Sequence, residues 1–265
     1  MNSKSKKGNS NASVYFPSVK DLLEAGAHFG HETKRWNPNY REFIFTQRGN
    51  FHIIDLEKTL DFLKEALEFL KEAASKGEVL FVGTKRQARD IIRDEAIRCG
   101  AHFVTNRWVG GQLTNFEKVK KSISRLLNIE KKLNGDLAGI SQQRLSVLRR
   151  EWGRLERLFG GVKFMEMIPQ AIVIVDPLYE KIAFKESKVA NVPIVALIDS
   201  NTSPKGIDYP IPGNDDAIKS IKLFINTLAS AILIGNKGKG IRHKFYDFSR
   251  VGVNVEPDKK NLKEE

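Results

Sequence analysis

Two short segments of the chain each place a guanidinium beside an indole: Lys34-Arg35-Trp36-Asn37-Pro38 and Arg107-Trp108. An arginine fork clasps phosphate oxygens, and an indole offers a flat apolar face to a base or a ribose. Arg41 and Arg48 add charge to the first segment. Burial is the ordinary fate of a tryptophan. Trp152 falls on an apolar seam and is expected to pack. Trp36, set between charges and a proline, is expected to stay partly exposed.

Other residues could serve small-molecule chemistry. Gly83-Thr84-Lys85 follows a strand-like run and opens a helical one, where free amides and the helix dipole can hold a phosphate. The spaced glycines of a P-loop and of a dinucleotide fingerprint are both absent. Asp176 and Asp199 each stand just past the end of a strand-like run, where open α/β sheets place their ligands. With Asp215 and Asp216 they could hold a hard cation; helix capping and turn formation is the reading that aspartate propensities favour. His28 and His31, three apart, could share one helical face. Two imidazoles without further ligands are a weak metal signal, so packing or hydrogen bonding is expected of them. Cys99 is the only cysteine, which excludes an intrachain disulfide and a thiolate zinc site. No serine nucleophile elbow accompanies these groups. A phosphosugar- or nucleotide-binding α/β enzyme, lined by Thr84, Lys85, Asp176 and Asp199, is therefore the alternative to a nucleic-acid binder.

Charge separates the two. The 265 residues carry 44 Lys and Arg against 32 Asp and Glu, a formal net charge of +12. Such an excess favours a polyanion, since each cation placed on a phosphate releases counterions. An acidic membrane surface would call for a basic amphipathic anchor, and none is evident. No apolar run opens the chain, so no secretory leader is expected. The most apolar stretch, Leu223 to Ile234, includes Asn226, Thr227 and Ser230 and reads as a buried helix.

The elements that must position these residues follow from periodicity. Short β-branched runs at Glu78–Val82, Ala101–Val104, Ala171–Val175 and Ile194–Ile198 are apolar without alternation, as in parallel strands covered on both faces. Helical patterns at Asp55–Ser75, Lys85–Arg98, Leu178–Ala190 and Asp215–Ile234 separate them, which predicts an α/β sheet with right-handed crossovers. Between Asn115 and Phe159 the alternation stops. Phe116, Val119, Ile123 and Leu126, and then Leu145, Leu148, Trp152, Leu155 and Phe159, step by threes and fours on either side of a break at Gly135–Gly139. Two narrow apolar seams predict an antiparallel helical hairpin. Lys118, Lys120, Lys121, Arg144, Arg149, Arg150, Arg154 and Arg157 decorate it, so it could meet RNA, or grip a partner protein as an adaptor would.

Five segments, AGAHFGHETKRWNPNY, VGTKRQA, NRWVGGQLTN, LFGGVKFMEMIPQAIVIVDP and IDYPIPGNDDAIKSI, stand in the order and at the spacing of a known family. Over Ser18 to Gly235 the chain resembles the small-subunit ribosomal protein S-two family of bacteria and organelles. The resemblance implies a flavodoxin-like fold, a mostly parallel sheet flanked by helices, with an inserted antiparallel coiled-coil hairpin. It implies no catalysis; no cofactor and no metal-ligating residue is expected. It also implies small-subunit ribosomal RNA at the head/body junction as partner, with neighbouring small-subunit proteins including the large messenger-tethering protein, and no membrane. Lys34, Arg35, Trp36, Asn37 and Arg41 match the family's RNA-facing loop, and Thr84, Lys85, Arg86, Arg107 and Trp108 match two further motifs. Asn39 departs from the lysine common after WNP, and Ser203 from the aspartate common before Pro204. The expected organisation is a disordered basic tail over 1–17, an RNA-binding α/β domain over 18–235 with a helical insertion at 115–160, and a flexible extension over 236–265. The expected location is the ribosome of the cytoplasm, ahead of an organellar one.

Overall fold

The computed structural model describes residues 15–135 and 140–237. Nearly all of the two expected tails, and residues 136–139 of the expected hairpin break, lie outside the described residues.

The short helix α1 (Val19–Glu24) is closed by a capping box between Ser18 and Asp21. It precedes a local antiparallel sheet of β1 (Phe29–Glu32), β2 (Ile44–Arg48) and β3 (Phe51–Ile54), in the order β1-β3-β2. Gly49, with φ +60°, supplies the left-handed residue that turns β2 back onto β3. This sheet corrects the expectation of a shared helical face for His28 and His31. His31 lies within β1 and His28 in the turn before it, so no helix carries the pair.

After α2 (Leu56–Lys76), capped by the Asp55 carboxylate, the main sheet begins. Its strands are β4 (Val79–Val82), β5 (His102–Val104), β6 (Ala171–Val175), β7 (Ile194–Ile198) and β8 (Tyr209–Pro212). All neighbours are parallel in the order β5-β4-β6-β7-β8, the flavodoxin-like arrangement. Four of the five strands are the β-branched runs of the sequence. The fifth, YPIP, escapes that reading because of its two prolines, which a strand tolerates at the sheet edge it occupies.

Strand side chains alternate between two apolar layers. Val79, Phe81, Val173, Val175, Val195 and Leu197 face α2, α3 (Arg89–Cys99) and α7 (Ile218–Gly235). Leu80, Val82, Ile172, Ile174, Ile194 and Ile198 face the other way, toward α4 (Phe116–Asn134), α5 (Gln142–Phe159), α6 (Lys181–Val189) and the aromatics Tyr40 and Phe43. By length and composition α7 could cross a bilayer. Here it packs instead on α2 and α3, burying Ile221, Phe224, Ile225, Leu228 and Ile232.

Three helices start later than periodicity predicts. α3 begins at Arg89 rather than Lys85, α6 at Lys181 rather than Leu178, and α7 at Ile218 rather than Asp215. In each case the first residues past the strand are drawn into polar contacts at the sheet edge. Asn214 Oδ1, for example, accepts from the amides of Asp216 and Ala217, both at 2.9 Å, and holds that turn open before α7.

α4 and α5 pack on each other along the expected seams. Phe116, Val119, Ile123 and Leu126 are buried, as are Leu145, Leu148, Trp152, Leu155 and Phe159. Arg125 grips Glu151 across the pair with contacts of 2.9 and 2.8 Å. Trp152 is only 1% exposed and fills the seam. Trp152→Ala is expected to lower the stability of the fold by about 3–5 kcal/mol, the usual range for a fully buried tryptophan. Urea unfolding followed by circular dichroism measures it, and a loss below about 1 kcal/mol would contradict the packing described.

Candidate nucleic-acid interface

A parallel sheet sends the loop after every strand to one edge. The three motifs singled out from the sequence meet at that edge, and each is fastened differently.

The first is the segment after β1. Gly30 lies so close to β7's end that an added Cβ would stand 2.8 Å from Ser200 Oγ. The His31 amide donates to Asp199 Oδ1 at 3.1 Å and to Ser200 Oγ at 2.8 Å. The Asn37 amide donates to the Ser200 carbonyl at 2.8 Å, and the Tyr40 hydroxyl to the Ile198 carbonyl at 3.1 Å. Asn37 Oδ1 accepts from the Asn39 amide at 3.0 Å and caps the 3-10 turn Pro38–Phe43. With its backbone held inward, the loop leaves Lys34, Arg35 and Arg41 exposed, and none of them forms an ion pair among the described residues. Trp36 is half-buried and leans on the His52 ring, centroids 5.3 Å apart at 47°. Asn37 thus shapes the loop, while the three cations and one indole face stay available.

The second motif is built the other way round. Lys85 turns into the crevice between β4 and β6, where the strand order reverses. Its ammonium lies 2.7 Å from Asp176, 2.8 Å from Asp215 and 2.8 Å from Asp216. The side chain is 11% exposed and Asp215 is fully buried. Burial disfavours the Lys85 charge, but Asp215 and Asp176 outweigh it and raise the ammonium's pKa well above its ordinary value. Burial and the neighbouring Asp176 and Asp199 push Asp215 well above the usual carboxylate range. The place where a phosphate or a hard cation would sit is filled by the chain's own ammonium. Among the described residues no group of three or more His, Cys, Asp or Glu side chains is arranged to hold a metal ion. The Thr84 amide, the donor a phosphate would need, is taken by Glu180 Oε1. Asp176 also accepts from the Tyr179 amide at 3.0 Å, so it shapes a turn as its residue type suggests while serving the ion cluster. Of the VGTKRQA segment only Arg86, among the proposed contacts, projects into solvent.

His31 joins the first two motifs. Its Nδ1 is 3.0 Å from Asp199 and its Nε2 3.4 Å from Asp216, the carboxylate that also meets Lys85. The hydrogen bond to Asp199 raises the imidazole pKa, against the opposing effect of burial.

The third motif, NRWVGGQLTN, wraps a buried carboxylate. Glu186, on α6, accepts from Trp108 Nε1 at 3.1 Å and from the amides of Gly111 (2.7 Å), Leu113 (3.1 Å) and Thr114 (3.4 Å). It also accepts from the Thr114 hydroxyl at 3.3 Å. Burial would raise this carboxyl, but the amides of Gly111 and Leu113 with the Trp108 indole more than offset it and hold the pKa below the usual value. Trp108 is buried, while Arg107 is exposed. Asn106 Nδ2 donates to the Arg157 carbonyl at 3.0 Å, so this loop abuts the foot of α5. Arg150, Arg154 and Arg157 rise from there at helical spacing, all exposed.

Sequence reasoning missed Glu180, Glu186 and Ser200, and it assigned no role to the His31–Asp199 contact. Their donors lie 72 to 78 residues from Glu186 and 168 from Asp199 along the chain, and no local pattern carries such pairings.

A profile of the family described as ribosomal protein S2 matches residues 22–235, a span that includes every strand and all three loops. The small ribosomal subunit protein uS2 of Treponema pallidum strain Nichols is 45% identical over 227 residues, covering 85% of this chain and 78% of that protein. Its counterpart from a second strain, of Treponema pallidum subsp. pallidum, gives the same figures.

Two substitutions test the buried acids and their cation. Lys85→Met leaves three carboxylates facing one another and is expected to cost about 3–5 kcal/mol at neutral pH. The deficit should shrink on acidification, as protonation relieves the repulsion. Glu186→Gln turns a donor toward amides that need an acceptor and is expected to cost about 1–3 kcal/mol. Because the folded-state pKa of Glu186 is depressed, its contribution is complete above the ordinary carboxylate range and is lost as pH falls through the folded value. The two proteins should therefore converge in acid. Denaturant midpoints recorded between pH 7 and pH 3 give both answers, and a gap that widens in acid would refute either assignment.

Proposed function

The chain belongs to the ribosomal protein S2 family, a structural constituent of the small ribosomal subunit, and from that membership we propose that it clasps small-subunit ribosomal RNA at the junction of head and body. Lys34, Arg35 and Arg41 on the first loop, with Arg86 and Arg107 on the other two, make the phosphate contacts, and Trp36 stacks at their centre. Asn37, Thr84, Lys85 and Trp108 act from inside, fixing the loops that carry those cations. Residues 18–235 form the RNA-binding domain. The helical insertion at 115–160 extends its reach through Arg150, Arg154 and Arg157.

The observation that carries this reading is the contrast at the sheet edge: buried carboxylates anchor each loop, while Lys34, Arg35, Arg41, Arg86 and Arg107 stay exposed outside and form no ion pair among the described residues. Phosphate contacts of this kind position a protein on folded RNA, and shape rather than base identity supplies the specificity.

Catalysis has little room. The switch-point crevice that an α/β enzyme would use is filled by Lys85, and the adjacent Thr84 amide is already bound. This supports a scaffold over the phosphosugar or nucleotide enzyme. Protein neighbours are expected as well, because the small sheet exposes Phe29, Phe45 and Phe51, with Phe45 73% accessible. The large messenger-tethering protein is the neighbour that the family likeness suggests. A bacterial relative at 45% identity favours the cytoplasmic ribosome over an organellar one.

Lys34→Ala, Arg35→Ala and Arg41→Ala together should leave the fold intact, since all three side chains are exposed. Incorporation into small subunits, read by sedimentation of a lysate, should fall. The slope of log affinity against log salt for purified subunit RNA should drop by about 2, corresponding to three lost phosphate contacts. Unchanged sedimentation and an unchanged slope would remove this face from the interface.

A further inference from the structure

α6 carries two unlike rows of side chains on its outer surface. Lys181, Lys185 and Lys188 follow one another at intervals of four and three, which places them on one ridge. Ile182 and Val189, seven apart, form a second ridge beside it, and Leu178 and Tyr179 extend the surface at the amino-terminal end. Ala183, Glu186 and Ser187 take the inward side. Ile182 is 57% exposed and Val189 73%. None of the three lysines forms an ion pair among the described residues, and only Lys188 has a ring beneath it, that of Phe184 at 5.6 Å.

Single exposed aliphatics are ordinary on a soluble protein. A row of them alongside a row of cations without counter-charges is more specific, because it matches a partner bearing acids and apolar groups at the same spacing. RNA would use only half of this surface. Its unpaired bases stack on aromatic or guanidinium planes, whereas α6 offers lysines and branched aliphatics, with the single ring of Tyr179 off to one end. We propose that the outer face of α6 docks an acidic amphipathic helix of a neighbouring protein in the small subunit, its carboxylates on Lys181, Lys185 and Lys188 and its apolar side chains on Ile182 and Val189. Nine residues make a helix about 13 Å long. The contact is two to three turns, of the helix-on-helix kind read through residues three, four and seven apart. The proposal rests on the ribosomal reading for the place where the partner is met.

The test uses the full chain assembled into small subunits, with Ile182 replaced by the photo-reactive residue p-benzoylphenylalanine. Irradiation should join α6 to a protein peptide that has at least two Asp or Glu residues three or four apart. Adding Lys181→Glu and Lys185→Glu should cut the yield about tenfold or more, since like charges set face to face cost several kcal/mol. Lys181→Gln and Lys185→Gln should cut it less. A cross-link to RNA or to a peptide without acids overturns the proposal, as do a yield indifferent to charge reversal and the absence of any cross-link. If unmodified protein sediments with small subunits while the cross-link fails, only this inference falls. If the unmodified protein does not sediment with them, the ribosomal reading falls and this one with it.

Discussion

One ammonium among three carboxylates governs the working edge of this protein. Lys85 enters the crevice at the sheet's switch point and balances Asp176, Asp215 and Asp216, which arrive after two other strands. A parallel sheet leaves a gap there, because the crossovers on either side of β4 and β6 turn away from each other. Enzymes of this architecture fill it with a ligand. Here a side chain fills it, and the edge becomes a mount for three loops.

The mount works by keeping acids inside and cations outside. Asp199 and Ser200 hold the amide of His31, Glu180 holds that of Thr84, and Glu186 holds the turn after Trp108. Buried carboxylates that accept several hydrogen bonds define a backbone more sharply than apolar contacts do, and they penalise any rearrangement that leaves them unpaired. They also neutralise the few basic groups turned inward, Lys85 here and Lys163 between Glu130 and Glu156. Among the described residues, Lys34, Arg35, Arg41, Arg86 and Arg107 are thereby left on surfaces that solvent or a polyanion can reach.

The helical pair and the sheet share one apolar layer, since Val104, Val162 and Phe159 join strand-face residues to the seam of α4 and α5. The Asn106–Arg157 contact adds a polar tie at the same place. The basic stripe of α5 is therefore fixed relative to Arg107. Long side chains on a rigid support lose less freedom on meeting a phosphate than side chains on a mobile arm.

Much of the architecture was legible in the residues alone. Unalternating β-branched runs marked four of the five parallel strands, and the seams at Phe116–Leu126 and Leu145–Phe159 marked the paired helices, because burial on both faces or along one stripe leaves a period in the sequence. The excess of Lys and Arg and the Arg-Trp pairs pointed to a polyanion. Three things were decided only by tertiary structure. The small antiparallel sheet has strands too short and too mixed to show alternation. The late starts of α3, α6 and α7 reflect polar contacts at the sheet edge, some within the turn and some with distant loops, that override local propensity. The division of the candidate residues, with Lys34, Arg35 and Arg41 outward and Lys85 and Trp108 inward, depends on where Asp215 and Glu186 arrive from 130 and 78 residues away. A sequence records which groups carry charge; whether a given charge meets a carboxylate or the solvent is settled only when the strands come side by side.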